Sequence, residues 1–175
     1  MSDELKNALV GCGAILYGDF TLASGKKSKY YIDIKKATTD PKVLGLVAEL
    51  MAKDMGKGHG IQRIAGVALG SVPLAVALSL RTGIPFVMVR KEKKDHGTGK
   101  LIEGQLLPGE KVLVVEDVIT SAGSAVYAVE TLRQAGAAVE MVMSVVDREE
   151  GGKAVLNDMN VEMRALITAS KILGN

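Results

Sequence analysis

The feature that most constrains the fold is an unbroken apolar run, Val112 to Val115, that leads directly into two acids, Glu116 and Asp117. We predict a strand over 111–116. Other strand-like apolar segments alternate with helical patterns along the chain, at 64–68, 85–89 and 139–146. Apolar runs without alternation are typical of strands that helices cover on both faces. The sequence therefore predicts an α/β fold with a doubly wound parallel sheet.

Helix signals separate these predicted strands. Asp40 followed by Pro41 is typical of a helix N-cap with proline at the first helical position. Apolar residues then recur at helical spacing. Further helices are predicted over 72–80 and 122–135, the second closed by Gly136.

The two ends of the chain differ from this alternating core. Residues 1–39 predict a short helix and a small hairpin that turns at Ser24 and Gly25, whereas residues 151–175 predict a short helix, a strand and a tail. We expect both ends to pack together over the carboxyl edge of the sheet. The chain would then be one domain, 1–175, with its core at 40–150 and a hood made of residues 1–39 and the C-terminal segment.

Charge and cysteine content exclude several classes of protein. Lys and Arg number 22 and Asp and Glu 20, and the net charge of +2 is too small to indicate nucleic-acid binding. The one cysteine, Cys12, permits no intramolecular disulfide, and no Cys/His cluster has metal-ligand spacing. The first residues do not form a signal peptide, and no apolar run reaches the roughly 18 residues of a membrane span. We expect a protein of a reducing cytoplasm that binds neither membrane nor nucleic acid.

The segment after the central strand has the composition of a phosphate site. Thr120 to Ser124 are all small and precede a predicted helix. In open α/β sheets ligands bind at the carboxyl ends of strands, and a helix N-terminus attracts anions. The carboxylates of Glu116 and Asp117 can accept hydrogen bonds from ribose hydroxyls and hold magnesium through water. The alternative is an ordinary turn with Thr or Ser as N-cap.

Other phosphate motifs are missing from the sequence. No GxxxxGK[ST] occurs, and no GxGxxG follows a strand, because Gly56, Gly58 and Gly60 lie in a predicted helix-to-strand linker. These absences argue against an ATPase and against a dinucleotide-dependent oxidoreductase.

Positive charge is concentrated in two clusters, one between Lys26 and Lys36 and one between Arg90 and Lys100. The second cluster belongs to a long segment, 91–108, without regular periodicity. Long loops between core strands are usually functional lids. A solvated charged loop is the alternative.

Four segments together resemble the type I phosphoribosyltransferases, and most closely the orotate phosphoribosyltransferase family. The first, VVEDVITSAGSA at 114–125, resembles that family's phosphoribosyl diphosphate signature. The others are FTLASGKKSKYYID at 20–33, RKEKKDHGTGKLIEG at 90–104 and VVDREEGG at 145–152. The resemblance implies a parallel sheet with a small hood, which agrees with the pattern of strands and helices.

The resemblance also implies an activity. A ring nitrogen of orotate displaces pyrophosphate from the anomeric carbon of phosphoribosyl diphosphate and gives orotidine 5′-monophosphate, with Mg²⁺ as cofactor. It implies catalytic roles for Asp117, Lys94 and His96. The residues implied to bind phosphoribosyl diphosphate are Arg90, Lys91, Lys94 and His96 in the loop and Glu116, Asp117, Val118, Ile119, Thr120, Ser121, Ala122, Gly123 and Ser124 in the signature.

Orotate differs from uracil by a carboxylate, for which a guanidinium is a natural bidentate partner. The resemblance implies that Arg148 binds this group and that Thr120 borders the base. Otherwise Arg148 is a surface residue paired with Glu149 or Glu150. The hood around Tyr30 would close over the base, unless it is only a packing face of the hairpin.

The resemblance implies that magnesium is held mainly by diphosphate, ribose and water near Glu116 and Asp117, with no direct protein ligand. It also implies a two-fold dimer whose loop lysines reach the neighbouring site. Two departures stand out: some bacterial members of the family carry lysines at positions that here hold Ala23 and the Gly70–Ser71 turn. Backbone N–H groups of Gly70 and Ser71 can still face pyrophosphate. Whether Lys26 replaces one lysine stays open.

Two other functions are compatible with the signature alone. A sibling enzyme for a purine base would keep the phosphate segment but would need neither Arg148 nor the charged loop. A regulator that senses phosphoribosyl diphosphate would need a nucleic-acid surface, and no helix-turn-helix is predicted.

Overall fold

In the part of the chain that the structure describes, six strands form a central sheet and two form a separate hairpin. The computed structural model describes residues 2–21, 27–56, 60–91 and 100–174. Within these ranges the strands are β1 (Ile15–Thr21), β2 (Lys27–Ile32), β3 (Arg63–Val67), β4 (Phe86–Val89), β5 (Ile102–Glu103), β6 (Lys111–Ile119), β7 (Ala138–Asp147) and β8 (Glu162–Thr168). The helices are α1 (Ser2–Gly11), α2 (Ile34–Thr38), α3 (Pro41–Met55), α4 (Val72–Thr82), α5 (Gly123–Gln134), α6 (Gly152–Asp158) and α7 (Ala169–Leu173).

The predicted parallel sheet is confirmed, with one antiparallel edge. Strands β4, β3, β6, β7 and β8 pair in parallel, whereas the two-residue β5 pairs antiparallel with β4. Strand β5 lies inside the segment 91–108, which the sequence predicted as loop. The sheet is therefore mixed.

Side chains of the central strand alternate between two cores, which explains its unbroken apolar run. Leu113 and Val115 pack in the core that contains α3 and α4, and Val112 and Val114 pack in the core that contains α5. Helices thus cover both faces, as predicted. None of the described helices is long and apolar enough to cross a membrane.

The helix predicted from Asp40 and Pro41 is present as α3. The carboxylate of Asp40 accepts hydrogen bonds from the backbone N–H groups of Lys42 (2.9 Å) and Val43 (3.1 Å), which satisfies donors that have no partner inside the helix.

Strand β6 runs three residues beyond its predicted end. Its pairing with β7 continues as far as Ile119 opposite Asp147. Glu116 and Asp117 therefore lie within the strand, and the loop begins only at Thr120. A pattern of apolar residues could not show this, because the extension is held by backbone pairing.

The predicted hairpin is present, although its turn at Ser24 and Gly25 lies outside the described residues. The two ends of the chain do pack together, since the Tyr17 hydroxyl of β1 donates to the Ile172 carbonyl of α7 at 2.8 Å. The C-terminal segment was expected to belong to the hood. Instead β8 pairs with β7 and forms an edge of the central sheet.

A buried ion pair joins the amino-terminal ends of the two central strands. Arg63 opens β3, Glu110 precedes β6, and their side chains are 10% and 11% exposed. Arg63 Nε donates to Glu110 Oε2 at 3.1 Å, a second guanidinium nitrogen donates to Oε1, and the Leu107 N–H donates to Oε2 at 2.9 Å. The pair therefore holds β3 and β6 in register at their amino-terminal ends. The opposite ends of these strands lead into the turn at 68–71 and the loop at 120–122.

We expect Glu110→Gln to lower the free energy of unfolding by about 2 kcal/mol at neutral pH, because a charge-assisted hydrogen bond is lost. The Arg63 hydrogen bond holds the pKa of Glu110 below its usual value. This stabilisation is present above the unfolded-state pKa and is lost as pH falls through the lowered folded-state pKa. Urea unfolding of both proteins should therefore converge at acidic pH.

A matched control is Glu162→Gln. Glu162 also pairs with an arginine, Arg164, but its side chain is 55% exposed. Exposed pairs contribute about 0–1 kcal/mol, so this variant should unfold nearly as wild type does. Equal effects of the two substitutions would contradict the role given to the buried pair.

Candidate active site

Three connecting segments meet at one edge of the sheet because β3, β6 and β7 run in parallel. They are the turn after β3 at 68–71, the loop between β6 and α5 at 120–122, and the turn between β7 and α6 at 148–151. The carboxyl edge of such a sheet is where α/β proteins bind ligands.

The loop from β6 to α5 encloses a small hollow of about 50 Å³. Ala122 has a left-handed backbone conformation, with φ at 65°, and α5 begins at the next residue. The hollow is lined by Glu116, Val118, Ile119, Thr120, Ala122, Gly123, Ser124 and Ala125. These lining residues include most of the segment that was predicted to hold a phosphate group. Ser121, also in that segment, is exposed and does not line the hollow.

Gly152 supports this loop from behind and was missed by the sequence analysis. Its N–H donates to the Thr120 carbonyl at 2.9 Å. A Cβ at this position would lie 2.5 Å from that same carbonyl oxygen and 2.6 Å from the Ile119 side chain. Only glycine lets α6 approach this closely. The paired glycines Gly151 and Gly152 after a strand were the available signal.

Glu116 and Asp117 face a cleft of about 270 Å³ on the other side of the loop. The remaining walls are Lys35, Val67, Ala68, Leu69, Gly70, Ser71, Lys91 and Ser124. A Cβ on Gly70 would lie 3.0 Å from Asp117 Oδ2, so glycine here leaves space for that carboxylate. The Ser71 N–H, expected to face an anion, donates instead to the Val67 carbonyl at 3.2 Å.

Glu116 is buried and only partly satisfied. The Ser71 hydroxyl donates to its Oε2, whereas Oε1 has no hydrogen-bond partner among the described residues. Burial raises the pKa of Glu116 to about 7, and the charge of Asp117 adds to this, while Ser71 and Lys91 act in the opposite direction. The carboxyl group therefore offers a free acceptor to a ligand hydroxyl.

Two lysines contribute cations to the cleft. Lys91, predicted as a site residue, lies there beside the acids of its own chain. Lys35 was noted only within a basic cluster. It lies there because Asp33 caps α2 through the Lys35 N–H, at 3.2 Å. The structure thus identifies a candidate that sequence spacing did not single out.

Among the other predicted loop residues, the structure describes Arg90. Arg90 Nη1 lies 3.7 Å from Glu103 Oε1 of β5, and Arg90 is not among the residues that line the cleft. Lys94 and His96 lie outside the described residues.

Arg148 follows β7 at the same edge, and its N–H donates to the Ile119 carbonyl at 2.9 Å. Its side chain is only 15% exposed, and its Cζ lies 5.4 Å from the centre of the Tyr30 ring in the hood. Nε also lies 3.0 Å from Glu150 Oε1, an ion pair without hydrogen-bond geometry. Arg148 is therefore a largely enclosed cation between hood and sheet, and Glu150 is the acid that it pairs with.

Comparison with known proteins agrees with this arrangement. Residues 34–165 match the model of the phosphoribosyl transferase domain. The chain is 52% identical over 173 residues to orotate phosphoribosyltransferase of Methanosarcina acetivorans, covering 97% of this chain and 90% of the relative. This chain belongs to the orotate phosphoribosyltransferase family. The predicted resemblance and fold class are confirmed.

Solved structures show the same fold. Orotate phosphoribosyltransferase from Aeropyrum pernix is 36% identical, with a TM-score of 0.87 and coverage of 97% of this chain and 96% of that one. The Mycobacterium tuberculosis enzyme in complex with 5-phospho-alpha-D-ribosyl 1-diphosphate is 30% identical, with a TM-score of 0.81 and coverage of 98% of both chains.

We expect the stability of the ligand-free protein to fall as pH rises from 4.5, the usual pKa of a glutamate, to about 7, the pKa of Glu116. In this window the folded protein keeps a proton that the unfolded chain has released. The amide introduced by Glu116→Gln resembles the neutral carboxyl group. This variant should therefore lack the decrease in the free energy of unfolding, roughly 2–3 kcal/mol, that we expect of wild type. Urea unfolding at pH 5 and pH 8 measures the difference.

Glu140→Gln serves as the control for this substitution, because Glu140 is an exposed residue at the far end of β7. It should leave the pH dependence of wild type intact. Identical pH profiles for wild type and Glu116→Gln would show that Glu116 titrates like an exposed carboxylate.

Proposed function

We propose that this protein is an orotate phosphoribosyltransferase. It transfers the 5-phosphoribosyl group of phosphoribosyl diphosphate to orotate, and orotidine 5′-monophosphate and pyrophosphate are the products, a step in the biosynthesis of UMP. The observation that carries the proposal is the meeting, at one sheet edge, of a small-residue loop, two acids and an enclosed arginine. A relative that is 52% identical over nearly the whole chain bears the same name.

The reaction breaks the bond between the anomeric carbon and the diphosphate oxygen, and the bonding electrons leave with pyrophosphate. A ring nitrogen of orotate forms the new bond, through a transition state with oxocarbenium-ion character. Residues Thr120 to Ser124 hold the 5′-phosphate at the N-terminus of α5. Glu116 and Asp117 accept hydrogen bonds from the ribose hydroxyls, and the free Oε1 of Glu116 supports that role.

The leaving pyrophosphate gains negative charge and needs cations nearby. Lys91 and Lys35 line the cleft beside the acids and serve this purpose. Lys35 adds a cation to those of the loop. It takes the place of the lysines that are absent at Ala23 and Gly70. Family resemblance adds Arg90, Lys94 and His96 as diphosphate ligands, and Asp117, Lys94 and His96 as the catalytic residues.

The donor set fits a magnesium ion that the substrate brings with it. Glu116 and Asp117 offer carboxylate oxygens, but the described residues hold no group of three or more His, Cys, Asp or Glu side chains suited to a metal. Magnesium would therefore be held mainly by diphosphate, ribose hydroxyls and water near these acids. When bound it neutralises charge on the diphosphate.

Arg148 binds the orotate carboxylate, and Thr120 borders the base. The proximity of Arg148 to Tyr30 supports this role, because it places the guanidinium under the hood. We place the enzyme in a reducing cytoplasm, since its one cysteine, Cys12, permits no intramolecular disulfide.

Release of pyrophosphate tests the activity directly. The protein, supplied with magnesium and phosphoribosyl diphosphate, should release pyrophosphate with orotate, and far more slowly with uracil or adenine. Faster release with adenine than with orotate would indicate an enzyme that acts on purine bases. In a separate test, a chelator that removes magnesium should stop the reaction.

Arg148→Ala should raise the KM for orotate roughly a hundredfold, because a lost carboxylate partner costs on the order of 2–3 kcal/mol. The KM for phosphoribosyl diphosphate should change little, because the 5′-phosphate loop is intact. Steady-state kinetics with each substrate varied in turn measures both constants. An equal rise in both would show that Arg148 does not recognise the carboxylate.

We also propose a two-fold dimer in which the loop lysine Lys94 reaches the neighbouring site, whereas Lys91 lies in the cleft of its own chain. Asp117→Ala and Lys94→Ala homodimers should each be nearly inactive. In an exchanged equal mixture, half of the dimers are mixed and hold one intact site of two, so about 25% of wild-type activity should return. Mass spectrometry confirms exchange, and no recovery despite mixed dimers would exclude the shared site.

A further inference from the structure

Glu149, the residue after Arg148, ties the turn between β7 and α6 to the C-terminal helix. Its carboxylate accepts hydrogen bonds from the Ser170 N–H at 2.6 Å and from the Ser170 hydroxyl at 3.0 Å, both in the first turn of α7. Its own N–H donates to Asp147 Oδ1 at 2.8 Å. Glu149 adopts a φ of 58°, which a residue with a side chain adopts only where its surroundings hold it.

The other side of α7 is tied to the hood. The Ile172 carbonyl accepts the Tyr17 hydroxyl at 2.8 Å, and the Lys171 carbonyl accepts Lys6 Nζ of α1 at 3.3 Å. Carbonyl groups at a helix C-terminus have no partner inside the helix, so these donors satisfy groups that would otherwise need water. The Ile172 side chain is 1% exposed, which anchors α7 in the core.

The hood then returns to Arg148. Tyr17 of β1 lies opposite Tyr30 of β2 in the hairpin register. The Tyr30 ring in turn faces the Arg148 guanidinium, with Cζ 5.4 Å from its centre. The contacts form a closed circuit that begins and ends at Arg148 and passes through Glu149, α7 and the hairpin.

We propose that α7 is a brace that positions Arg148 for the orotate carboxylate, with Glu149 and Tyr17 as positioning residues at its two ends. The inference rests on the proposed role of Arg148. A bidentate contact between guanidinium and carboxylate needs a geometry held within about 0.5 Å. Backbone atoms of Arg148 are held by the Ile119 carbonyl and by the Glu149 tie, while the ring of Tyr30 limits the other end of its side chain.

The test is the effect of brace variants on each substrate separately. Glu149→Ala should raise the KM for orotate about tenfold, equivalent to about 1.4 kcal/mol. The KM for phosphoribosyl diphosphate and kcat should stay within about twofold, because the loop at 120–124 keeps its own support. Glu149→Gln keeps an oxygen that can accept the Ser170 N–H, so it should restore most of the orotate affinity.

Tyr17→Phe removes a single hydroxyl at the opposite end of the brace and should give the same split between substrates. It keeps the ring, so it tests the inference even if Glu149→Ala does not fold. Glu140→Ala replaces an exposed glutamate of β7 and is the control that should change neither KM. Thermal unfolding of every variant confirms that assays are run on folded protein.

Combination with Arg148→Ala shows whether the brace acts through that residue. If it does, adding Glu149→Ala to Arg148→Ala should cause no further rise in the KM for orotate. An additive rise, or a parallel rise in both KM values, would overturn the inference and leave a purely structural role.

The same set separates two kinds of failure. If Arg148→Ala raises the KM for orotate but Glu149→Ala and Tyr17→Phe leave it unchanged, the brace is wrong and the proposed role of Arg148 stands. If Arg148→Ala leaves the KM for orotate unchanged, the proposed recognition of the orotate carboxylate by Arg148 is wrong. The proposal that α7 is a brace is then wrong as well.

Discussion

The parallel pairing of β6 with its two neighbours is the constraint on which the rest of this structure depends. Because β3, β6 and β7 point the same way, their following turns meet at one edge. Pairing continues to Ile119 opposite Asp147, which sets the point at which the loop at 120–122 leaves the sheet. The same pairing leaves Arg148 donating to the Ile119 carbonyl, so that the loop and the arginine share one backbone support.

Burial of the Glu116 carboxyl group at this edge lowers the stability of the ligand-free protein. Glu116 is buried, with one oxygen satisfied by Ser71 and the other without a partner among the described residues. Burial raises its pKa because the low-dielectric interior disfavours the charged form. A ligand hydroxyl that donates to Oε1 would satisfy this oxygen and would also favour the charged form of the carboxyl group.

Small residues are required here for space as much as for flexibility. At Gly152 a side chain would collide with the loop at 120–122, and at Gly70 it would press against Asp117. Gly70 lies in the turn that follows β3, and Gly152 is the first residue of α6, the helix that follows β7. The hood completes the enclosure of Arg148, since Tyr30 faces this arginine and Tyr17 holds the C-terminal helix.

Much of this protein was determined by sequence alone. Apolar runs predicted the sheet, Asp40 and Pro41 predicted α3, and four short segments, the one at 114–125 among them, together identified the family, because these signals are local and depend on nearest neighbours in the chain. Only the tertiary structure decided that β8 joins the central sheet and that Lys35 lines the cleft. It also decided that Glu149 reaches Ser170. Those contacts join residues far apart in the chain, and no local pattern encodes which distant surfaces will meet.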